Sequence, residues 1–402
     1  MIVSHKINIF VLSFISLVIT TLPLFAQSQS SAQGGSGMRY DDVDRNAEDF
    51  VIASVLIADP GTFMYSVLGH ACIRLQCPTY GLDYCFTYEA ENADNKVLAF
   101  LSGNLMMGLY AIPTEEYCYP YREEGRGVYE YILNLPIETK RELWRVMDIH
   151  LAEGIYLPYD YYHRGCAITI VDFVKEALGE TEIVYDNSLY DSKPTARELC
   201  IINSQKALWV QFIALFLCGN ETDEPLVGDR QLIIPIDLVH AWQQAKVHDK
   251  PLLASEPTIL VAGEPQVADT WFTPMVLAIL LLVLAAVNVF WVRPYFDWLL
   301  LILQTIIGCI MVYLILFSTL CCTSWNWLII PFNPLPAICW KWRQYWVLPY
   351  AGILMLWCLF MAAMTIWGQV LVNWSHVLLV LAWMFIIFKQ KKIVWQLSYN
   401  SK

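Results

Sequence analysis

The sequence predicts an exported α+β domain followed by an α-helical membrane domain of about four spans. Three observations predict this class: a secretory-type N-terminus, a middle region of short strand-like and helix-like segments, and four long apolar segments near the C-terminus. The apolar segments account for the hydrophobic fraction of 57% in the 402 residues. Composition therefore does not require a very large soluble core.

The N-terminus has the pattern of a secretory signal that ends at Ala26. Lys6 lies in a basic start, a mostly apolar run covers residues 9–25, and small Ala26 precedes a polar stretch. The alternative is an uncleaved membrane anchor, because Leu24 is larger than the residue favoured at the third-last position. The following segment is exported in either case. No cysteine lies at the cleavage point, so the chain is not itself a lipoprotein, and residues 27–39 are expected to be a flexible leader.

Residues 40–265 are long enough for one soluble domain of ordinary size. β-branched and aromatic residues predict strands at 67–75, 83–90 and 126–135. Apolar residues at helical spacing predict helices at 96–102, 139–153, 166–178, 205–218 and 235–246. The apolar run Leu208–Leu217 is too short to cross a bilayer and is interpreted as a core helix.

Residues 270–390 are predicted to form the membrane domain, and residues 391–402 a basic tail. Spans of about 20 residues or slightly more fit the apolar segments 272–292, 298–320, 345–367 and 370–388. The connection 325–342 is rich in Trp and Pro. We expect it to lie at the outer interface, where such rings are favoured, and its first part is also the best candidate for a re-entrant or fifth segment.

Charge is distributed unevenly along the chain. Residues 270–402 carry seven Lys and Arg against one acid, Asp297, so the net charge of −12 leaves −18 on residues 1–269. An acidic exported domain argues against nucleic acid as a partner and against binding anionic lipid by charge alone. The membrane contact is therefore expected to be apolar. Four spans would place the basic tail outside, against the positive-inside tendency.

Cys166 is the most informative residue, because it stands at the predicted start of an apolar helix. Unpaired N–H groups and the helix dipole favour a thiolate there, and a nearby histidine would complete an activated nucleophile. Seven of the twelve cysteines precede residue 270. If Cys166 is free, the other six allow up to three disulfides in an oxidising compartment, with no pairing assignable.

His70 lies on the predicted strand 67–75 and is the expected base. Side chains alternate across a strand, so Ala71, Ile73 and Leu75 form an apolar face, and His70, Cys72 and Arg74 share the other face. Cys72 competes with Cys166 as the nucleophile, but side chains two residues apart on a strand diverge by roughly 6.5 Å, beyond hydrogen-bond reach. Cys166 is the better partner.

A third group should orient the histidine, as in other Cys-His systems. Tyr88 and Glu89, on the strand 83–90, both qualify. His163 precedes the cysteine by about one turn and is either another base or a loop residue that caps the turn. The sequence does not choose among the three.

These residues also carry a resemblance to a known family. Gly69-His70 with Ile73-Arg74, residues 100–105, Tyr121-Arg122, residues 129–135, and the run from Tyr161-Tyr162 to Cys166 are together similar to the Lnb N-terminal periplasmic domain. The similarity covers roughly residues 45–250. It continues weakly into residues 325–327 and 332–335.

The resemblance implies a permuted papain-like fold of the lecithin:retinol acyltransferase type, in which the histidine strand precedes the cysteine helix. It also implies a phospholipid-dependent lipoprotein N-acyltransferase in the inner membrane of Bacteroidota-like bacteria, with the N-terminal domain periplasmic. One departure is that Gly165 stands where the family usually has asparagine. Val171 replaces a polar residue, although Asp172 is retained, and Arg164 or His163 could take over the role of the missing amide.

The chemistry follows from the residues as a hypothesis. His70 removes the proton of Cys166, the thiolate attacks a phospholipid ester, and the acyl chain then passes to the α-amino group of a lipoprotein. No metal or soluble cofactor is predicted, since C-x-x-C and H-E-x-x-H spacings are absent from the sequence. The alternatives are a Cys-His cell-wall peptidase or amidase and a non-catalytic membrane scaffold.

Overall fold

The computed structural model of the protein describes residues 43–90, 96–160, 162–254, 256–264, 271–290, 294–368 and 373–400. The predicted secretory signal and leader lie outside the described residues, as does Tyr161. Contacts divide the chain into Met1–Val43 and Asp44–Lys402, and the second unit contains every element named below.

A seven-stranded antiparallel sheet organises the N-terminal domain, in the order β6-β4-β3-β2-β1-β5-β9. Two further short strands, β7 and β8, pair with each other. The strands are β1 Ile52–Ala58, β2 His70–Cys77, β3 Leu82–Ala90, β4 Met106–Pro113, β5 Val128–Ile132, β6 Tyr156–Pro158, β7 Lys246–Val247, β8 Lys250–Pro251 and β9 Thr258–Val261.

Helices lie between and after these strands. In the N-terminal domain they are α1 Lys96–Ser102, α2 Thr114–Glu123, α3 Ile137–Glu153, α4 Cys166–Leu178, α5 Asn187–Asp191, α6 Ala196–Asn203, α7 Leu208–Leu217 and α8 Pro235–Gln244. The C-terminal region contains α9 Pro274–Asn288, α10 Pro294–Phe317, α11 Leu335–Ile338, α12 Arg343–Ile366 and α13 Trp374–Asn400.

The two faces of the sheet carry different cores. Ala71, Ile73 and Leu75 of β2 pack on one face against α3, α4 and α8. Cys72 packs on the other face with Tyr117 and Cys118 of α2. The division of β2 into two faces is therefore confirmed, and α2 is the second layer that covers the face of His70 and Cys72.

The sequence located most helices better than the strands. The predicted helices 96–102 and 166–178 have the observed bounds of α1 and α4, whereas the strand predicted at 67–75 is shifted to His70–Cys77. The prediction omitted β1, which reads IASVLIA and is buried along most of its length. A strand covered on both faces lacks the alternation that marks a strand in a sequence.

Two helices of the C-terminal region are long and apolar enough to cross a membrane, Tyr295–Phe317 and Trp340–Ile366. Pro274–Asn288 and Trp374–Gln390 are apolar but shorter, and so is Leu208–Leu217, which partly packs into the core as expected. Helix length and composition therefore support two of the four predicted spans. The protein combines a mixed α+β domain with a helical C-terminal region.

Two glycines bring the N-terminal domain against the segment that follows α10. Gly103 has φ +76°, and a Cβ added there would lie 2.9 Å from the backbone nitrogen of Leu320 and still closer to Thr319. A Cβ at Gly219 would overlap the carbonyl of Ser324. Backbone hydrogen bonds follow, from Thr319 to Ser102 at 3.1 Å and from Gly219 to the carbonyl of Cys322 at 2.7 Å.

Gly103→Ala should therefore destabilise the protein more than Gly154→Ala does. Gly154 also has a positive φ, +59°, but nothing lies within 4 Å of its added Cβ. The matched variant measures only the left-handed backbone, about 1 kcal/mol, while Gly103→Ala adds overpacking of about 1–3 kcal/mol. Thermal unfolding in detergent should give the lower Tm for Gly103→Ala. Equal Tm values would mean that the contact at Thr319 yields without cost.

Candidate active site

Cys166 is the first residue of α4, and Gly165 precedes it as a cap that makes no side-chain hydrogen bond. The first N–H groups of the helix are thus not taken by a capping side chain. The backbone N–H groups of Ala71, Ala167 and Cys166 itself lie near the sulfur and favour its negative charge, which lowers the pKa of the thiol. Such a cluster of donors stabilises negative charge on sulfur or on an oxyanion beside it.

The resting form of Cys166 at neutral pH is nevertheless the thiol. Burial raises its pKa to about 11, and the three N–H groups oppose this shift without cancelling it. The negative charge of Glu89 raises the pKa further. Deprotonation therefore needs a base during the reaction.

His70 is the first residue of β2 and pairs with Ala58 at the end of β1. Gly69 before it has φ +81°, and a Cβ there would lie 2.8 Å from the carbonyl oxygen of Ala58. Only glycine fits this turn without strain. The tight turn fixes where the histidine strand begins.

A hydrogen-bonded chain holds the His70 ring. Its Nε2 lies 2.8 Å from Thr87 Oγ1, and the Thr87 hydroxyl lies 3.2 Å from Glu89 Oε1, to which it donates. Because a carboxylate only accepts, the Thr87 oxygen receives the proton of Nε2, and this assignment leaves the lone pair on Nδ1. His70 is thereby held in the tautomer whose Nδ1 can act as a base.

The surroundings of His70 keep the ring neutral. Burial is the larger cause and the positive charge of Arg126 the second, and together they lower the pKa of His70 to about 4. Arg126 is itself buried, with its Nε bonded to the carbonyl of Asp59 at 2.7 Å and its Nη1 to Glu124 at 3.0 Å. A neutral imidazole at pH 7 is available to accept the thiol proton.

His70 and Cys166 lie near the same end of β2, on opposite faces of the sheet. The ring of His70 lies 6.4 Å from the ring of Tyr117 on α2, whereas Cys166 packs against the core on the other face. Regular pairing of β2 with β3 begins only at Ile73 and Phe86, which leaves the N–H of Ala71 outside this ladder and near the sulfur.

The two predicted catalytic side chains therefore lie near the same end of β2 but on opposite faces of the sheet. The sulfur lies near the amide that directly follows His70, while the imidazole bonds Thr87. No hydrogen bond joins the two side chains themselves within the part of the chain that the structure describes. In structures without substrate, the distance between catalytic side chains is often longer than a hydrogen bond.

The three residues considered for orienting His70 have different environments. Glu89 Oε1 lies 3.9 Å from His70 Nε2 and receives the Thr87 bond. Tyr88 points to the other face and stacks on Phe173 at 6.0 Å. His163 bonds Asp160 through Nδ1 at 2.9 Å, next to Cys166 in sequence.

Two residues around His70 were missed by the sequence reasoning. Thr87 alternates with Phe86 and Tyr88 on β3 and shares the face of His70, so strand alternation alone could have found it. Arg126 precedes β5, and only the tertiary fold brings it near the histidine.

The other exported cysteines do not compete with Cys166. Cys72 is 1% exposed in the second core, and burial raises its pKa well above the usual range. Cys72, Cys77, Cys85, Cys118 and Cys200 are free thiols. Within the described ranges no group of His, Cys, Asp and Glu could hold a metal ion.

The positions that depart from the family pattern lie on different sides of α4. Gly165 is the helix cap, Val171 is 1% exposed in the main core, and Asp172 pairs on the surface with Arg230 at 3.0 Å. Arg164 is exposed in the turn before the helix. Val171 and Asp172 thus have structural surroundings, and Gly165 alone adjoins the sulfur.

The turn before Cys166 contacts the C-terminal region. Burial raises the pKa of Tyr159, and the nearby thiols of Cys166 and Cys322 raise it further. Tyr162 donates from its hydroxyl to the carbonyl of Glu221 at 3.3 Å. The sulfur therefore lies on the side of the domain that faces the end of α10.

Comparison with known families identifies the domain. Residues 40–196 match the model of the Lnb N-terminal periplasmic domain. This part of the chain belongs to that family. The matched segment of the Lnb domain includes His70, Thr87, Glu89, Arg126 and Cys166.

The resemblance inferred from the sequence is thereby confirmed, and the protein is a membrane protein with a periplasmic N-terminal domain. No curated protein matches the chain. No solved structure matches it either, and the permuted papain-like description of the Lnb domain stays a prediction.

The thiol of Cys166 in the Lnb domain should react with iodoacetamide slowly at pH 7 and increasingly fast toward pH 10–11. The reason is that burial raises its pKa to about 11, so the reactive thiolate is scarce at neutral pH. Mass spectrometry of the peptide that contains Cys166 gives the rate. A plateau already present at pH 6–7 would instead indicate a preformed thiolate-imidazolium pair.

Thr87→Val should lower the activity of the site by roughly 10- to 100-fold while the domain remains folded. Valine has a similar shape but cannot connect His70 to Glu89, so the ring is free to take the other tautomer. Thr87→Ser keeps the hydroxyl and is the matched control. Equal activity of the Val and Ser variants would remove Thr87 from the positioning of His70.

Proposed function

We propose that the protein transfers an acyl chain from a phospholipid to the α-amino group of a diacylglyceryl-cysteine at the N-terminus of a lipoprotein. One observation carries the proposal. The sulfur of Cys166 lies near the backbone N–H of Ala71, the residue that follows His70, at the end of the strands where Gly103 contacts the segment after α10. A nucleophile in this position faces the membrane in which both substrates reside.

The first half-reaction forms a thioester. His70 Nδ1 takes the proton of Cys166, and the sulfur attacks the ester carbonyl of the phospholipid. The N–H groups around the sulfur are placed to stabilise the oxyanion. The carbon-oxygen bond then breaks, the imidazolium returns its proton to the leaving oxygen, and a lysophospholipid departs.

The second half-reaction uses the same groups. The α-amino nitrogen of the acceptor attacks the thioester carbonyl, His70 accepts a proton from that nitrogen, and the carbon-sulfur bond breaks. The thiolate then recovers the proton from His70, leaving an amide on the acceptor. His70 is neutral at pH 7, so it enters each step as the proton acceptor.

We further propose that the helical region crosses the membrane five times, one crossing being irregular. Three contacts show which helix ends lie near the Lnb domain. The carbonyl of Phe272, before α9, accepts from Trp209 at 2.9 Å, and Thr319, after α10, donates to the carbonyl of Gly103 at 3.3 Å. His376 Nε2, at the start of α13, lies 3.2 Å from the carbonyl of Phe212. α9 and α13 therefore run away from the domain, and α10 runs toward it.

The opposite ends of these helices meet in a buried polar cluster. Asp297 at the start of α10 accepts from Asn288 at 2.6 Å and from Lys389 at 2.9 Å. Trp298 lies 5.5 Å from Trp340, which precedes α12. The connection 318–342 thus returns to the end of the helices that is remote from the domain.

Side chains of the neighbouring helices satisfy the irregular backbone of this connection. Gln304 and Tyr350 donate to the carbonyl of Pro331 at 3.3 and 3.1 Å, and Trp357 donates to that of Trp327 at 2.9 Å. Irregular backbone at membrane depth requires such partners. In this proposal the connection descends into the membrane, as the re-entrant or fifth segment that the sequence offered as an alternative.

Five crossings also remove the conflict of charge. Lys341, Arg343 and Lys389 all lie at the remote end, and the segments 271–274, 318–325, 366–368 and 373–374 at the domain end contain no Lys or Arg. This is the distribution that the positive-inside tendency favours for a periplasmic domain. The basic tail then lies in the cytoplasm.

A fluorescent protein fused after Lys402 should therefore be fluorescent, and alkaline phosphatase fused there should be inactive, because both report a cytoplasmic C-terminus. The same reporters fused after residue 265 provide the matched control with the opposite outcome. Active phosphatase at Lys402 would indicate an even number of crossings and overturn this topology.

Reconstitution tests the reaction. The full chain in phospholipid vesicles should convert a diacylated lipopeptide into one heavier by a single acyl group, measured by mass spectrometry. Cys166→Ala and His70→Ala should each reduce the rate at least about 100-fold, the scale of losing a nucleophile or base. Cys309→Ala, an exposed thiol of α10, is the control and should remain active.

Other outcomes distinguish the alternative functions. Release of fragments from cell-wall material without lipopeptide acylation would support a peptidase or amidase. Neither product, or full acylation by Cys166→Ala, would contradict the assigned chemistry.

A further inference from the structure

The loop between β1 and β2 exposes three large side chains directly before His70. Phe63 and Met64 are each 41% exposed and Tyr65 is 52% exposed. No charged residue occurs from Pro60 to Gly69, although residues 1–269 carry a net charge of −18. An uncharged, aromatic tip is unusual for a domain of this composition and indicates a contact surface.

The tip is held in one conformation by its own hydrogen bonds. Gly61 donates to the carbonyl of Ser66 at 2.8 Å, and Ser66 donates to that of Phe63 at 3.0 Å. The rings of Phe63 and Tyr65 stack at 5.7 Å with an interplanar angle of 4°. A preformed tip loses little conformational freedom when it inserts into another phase.

Polar residues anchor the loop to the start of β5. Tyr65 bonds Glu124 at 3.2 Å, and Glu124 in turn pairs with Arg126 at 3.0 Å. Arg126 Nε bonds the carbonyl of Asp59 at 2.7 Å. The anchors fix the tip relative to His70, which Arg126 also influences electrostatically.

The position of the loop points to the bilayer. β2 and β4 start at the same end of the sheet. Just before β4, Gly103 contacts Thr319, which follows a helix long enough to span a membrane. β9 ends at the same end of the sheet. There the backbone N–H of Glu264 donates to the carbonyl of Gly125 at 2.8 Å, before the chain continues to α9. The loop lies between these two connections to the helical region.

We infer that Phe63, Met64 and Tyr65 insert into the outer leaflet of the same bilayer and hold acyl chains of a phospholipid beside His70 and Cys166. The inference rests on the proposed acyl transfer for its purpose, but its contact can be measured independently. Aromatic side chains favour the interface, and an uncharged tip avoids repulsion between the acidic domain and anionic lipid. The loop then serves as a third attachment that presents the lipid ester to the sulfur.

Photocrosslinking tests the contact without requiring activity. The full-length Cys166→Ala protein, with p-benzoylphenylalanine at position 63 or 64, is reconstituted in vesicles of phosphatidylethanolamine and phosphatidylglycerol and irradiated. Peptide mass spectrometry should find phospholipid adducts at both positions at roughly ten times the level at position 82, because acyl chains surround only the inserted tip. Leu82 is the matched control, because it is 37% exposed and lies at the opposite end of the strands.

Equal adduct levels at positions 63, 64 and 82, or adducts to protein in place of lipid, would overturn the inference and leave the proposed acyl transfer intact. Lipid adducts at 63 and 64 in a protein whose wild-type form fails to acylate would support the contact and contradict the proposed function.

A second variant links the contact to turnover. Phe63→Ser combined with Met64→Ser removes the apolar tip but none of the anchoring bonds. The rate of acylation with vesicle-embedded donor should fall at least about tenfold relative to wild type, while the rate with donor dispersed in detergent changes less than about threefold. An equal fall in both assays would indicate damage to the site and contradict a membrane role.

Discussion

The approach of the backbone N–H of Ala71 to the sulfur of Cys166 is the contact on which the site depends. It joins the start of the cysteine helix to the start of the histidine strand, two segments separated by nearly a hundred residues of chain. It exists because β3 does not pair with the first residues of β2. The N–H group of Ala71 is therefore not used in the pairing of β2 with β3, and it lies near the sulfur of Cys166.

This arrangement explains why both reacting groups are neutral at rest. Burial favours the uncharged form of each, raising the pKa of the cysteine and lowering that of the histidine. An ion pair would be costly in such surroundings. In the proposed reaction, the N–H groups stabilise the charge that develops on sulfur or oxygen.

The end of the sheet that carries His70 also determines which part of the protein the site faces. The strands that begin or end there lead to the Gly103 contact, to the turn of Tyr159, and to the segment before α9. The sulfur, the aromatic loop and the ends of α10 and α9 consequently share one side of the domain. The proposed acyl transfer uses this placement, since a membrane supplies lipid substrates at high local concentration.

Much of this could be predicted from the sequence, and the remainder could not for physical reasons. Cys166 was found because helix starts have local signals, and His70 because alternation marks a strand face. Thr87 was overlooked although the same alternation places it opposite His70. The position of Arg126 beside His70, the incomplete pairing of β2 with β3, and the contacts of residues 318–342 with neighbouring helices arise between distant segments, which no local pattern encodes.

The central claim is that the acyl chain passes through the sulfur of Cys166. Incubation of the full chain with phospholipid in the absence of acceptor, followed by peptide mass spectrometry, tests it most directly. The account predicts one acyl group on the Cys166 peptide, removed by neutral hydroxylamine as a thioester and discharged on addition of a diacylated lipopeptide. Acylated lipopeptide formed while the Cys166 peptide remains unmodified at every time point would contradict it.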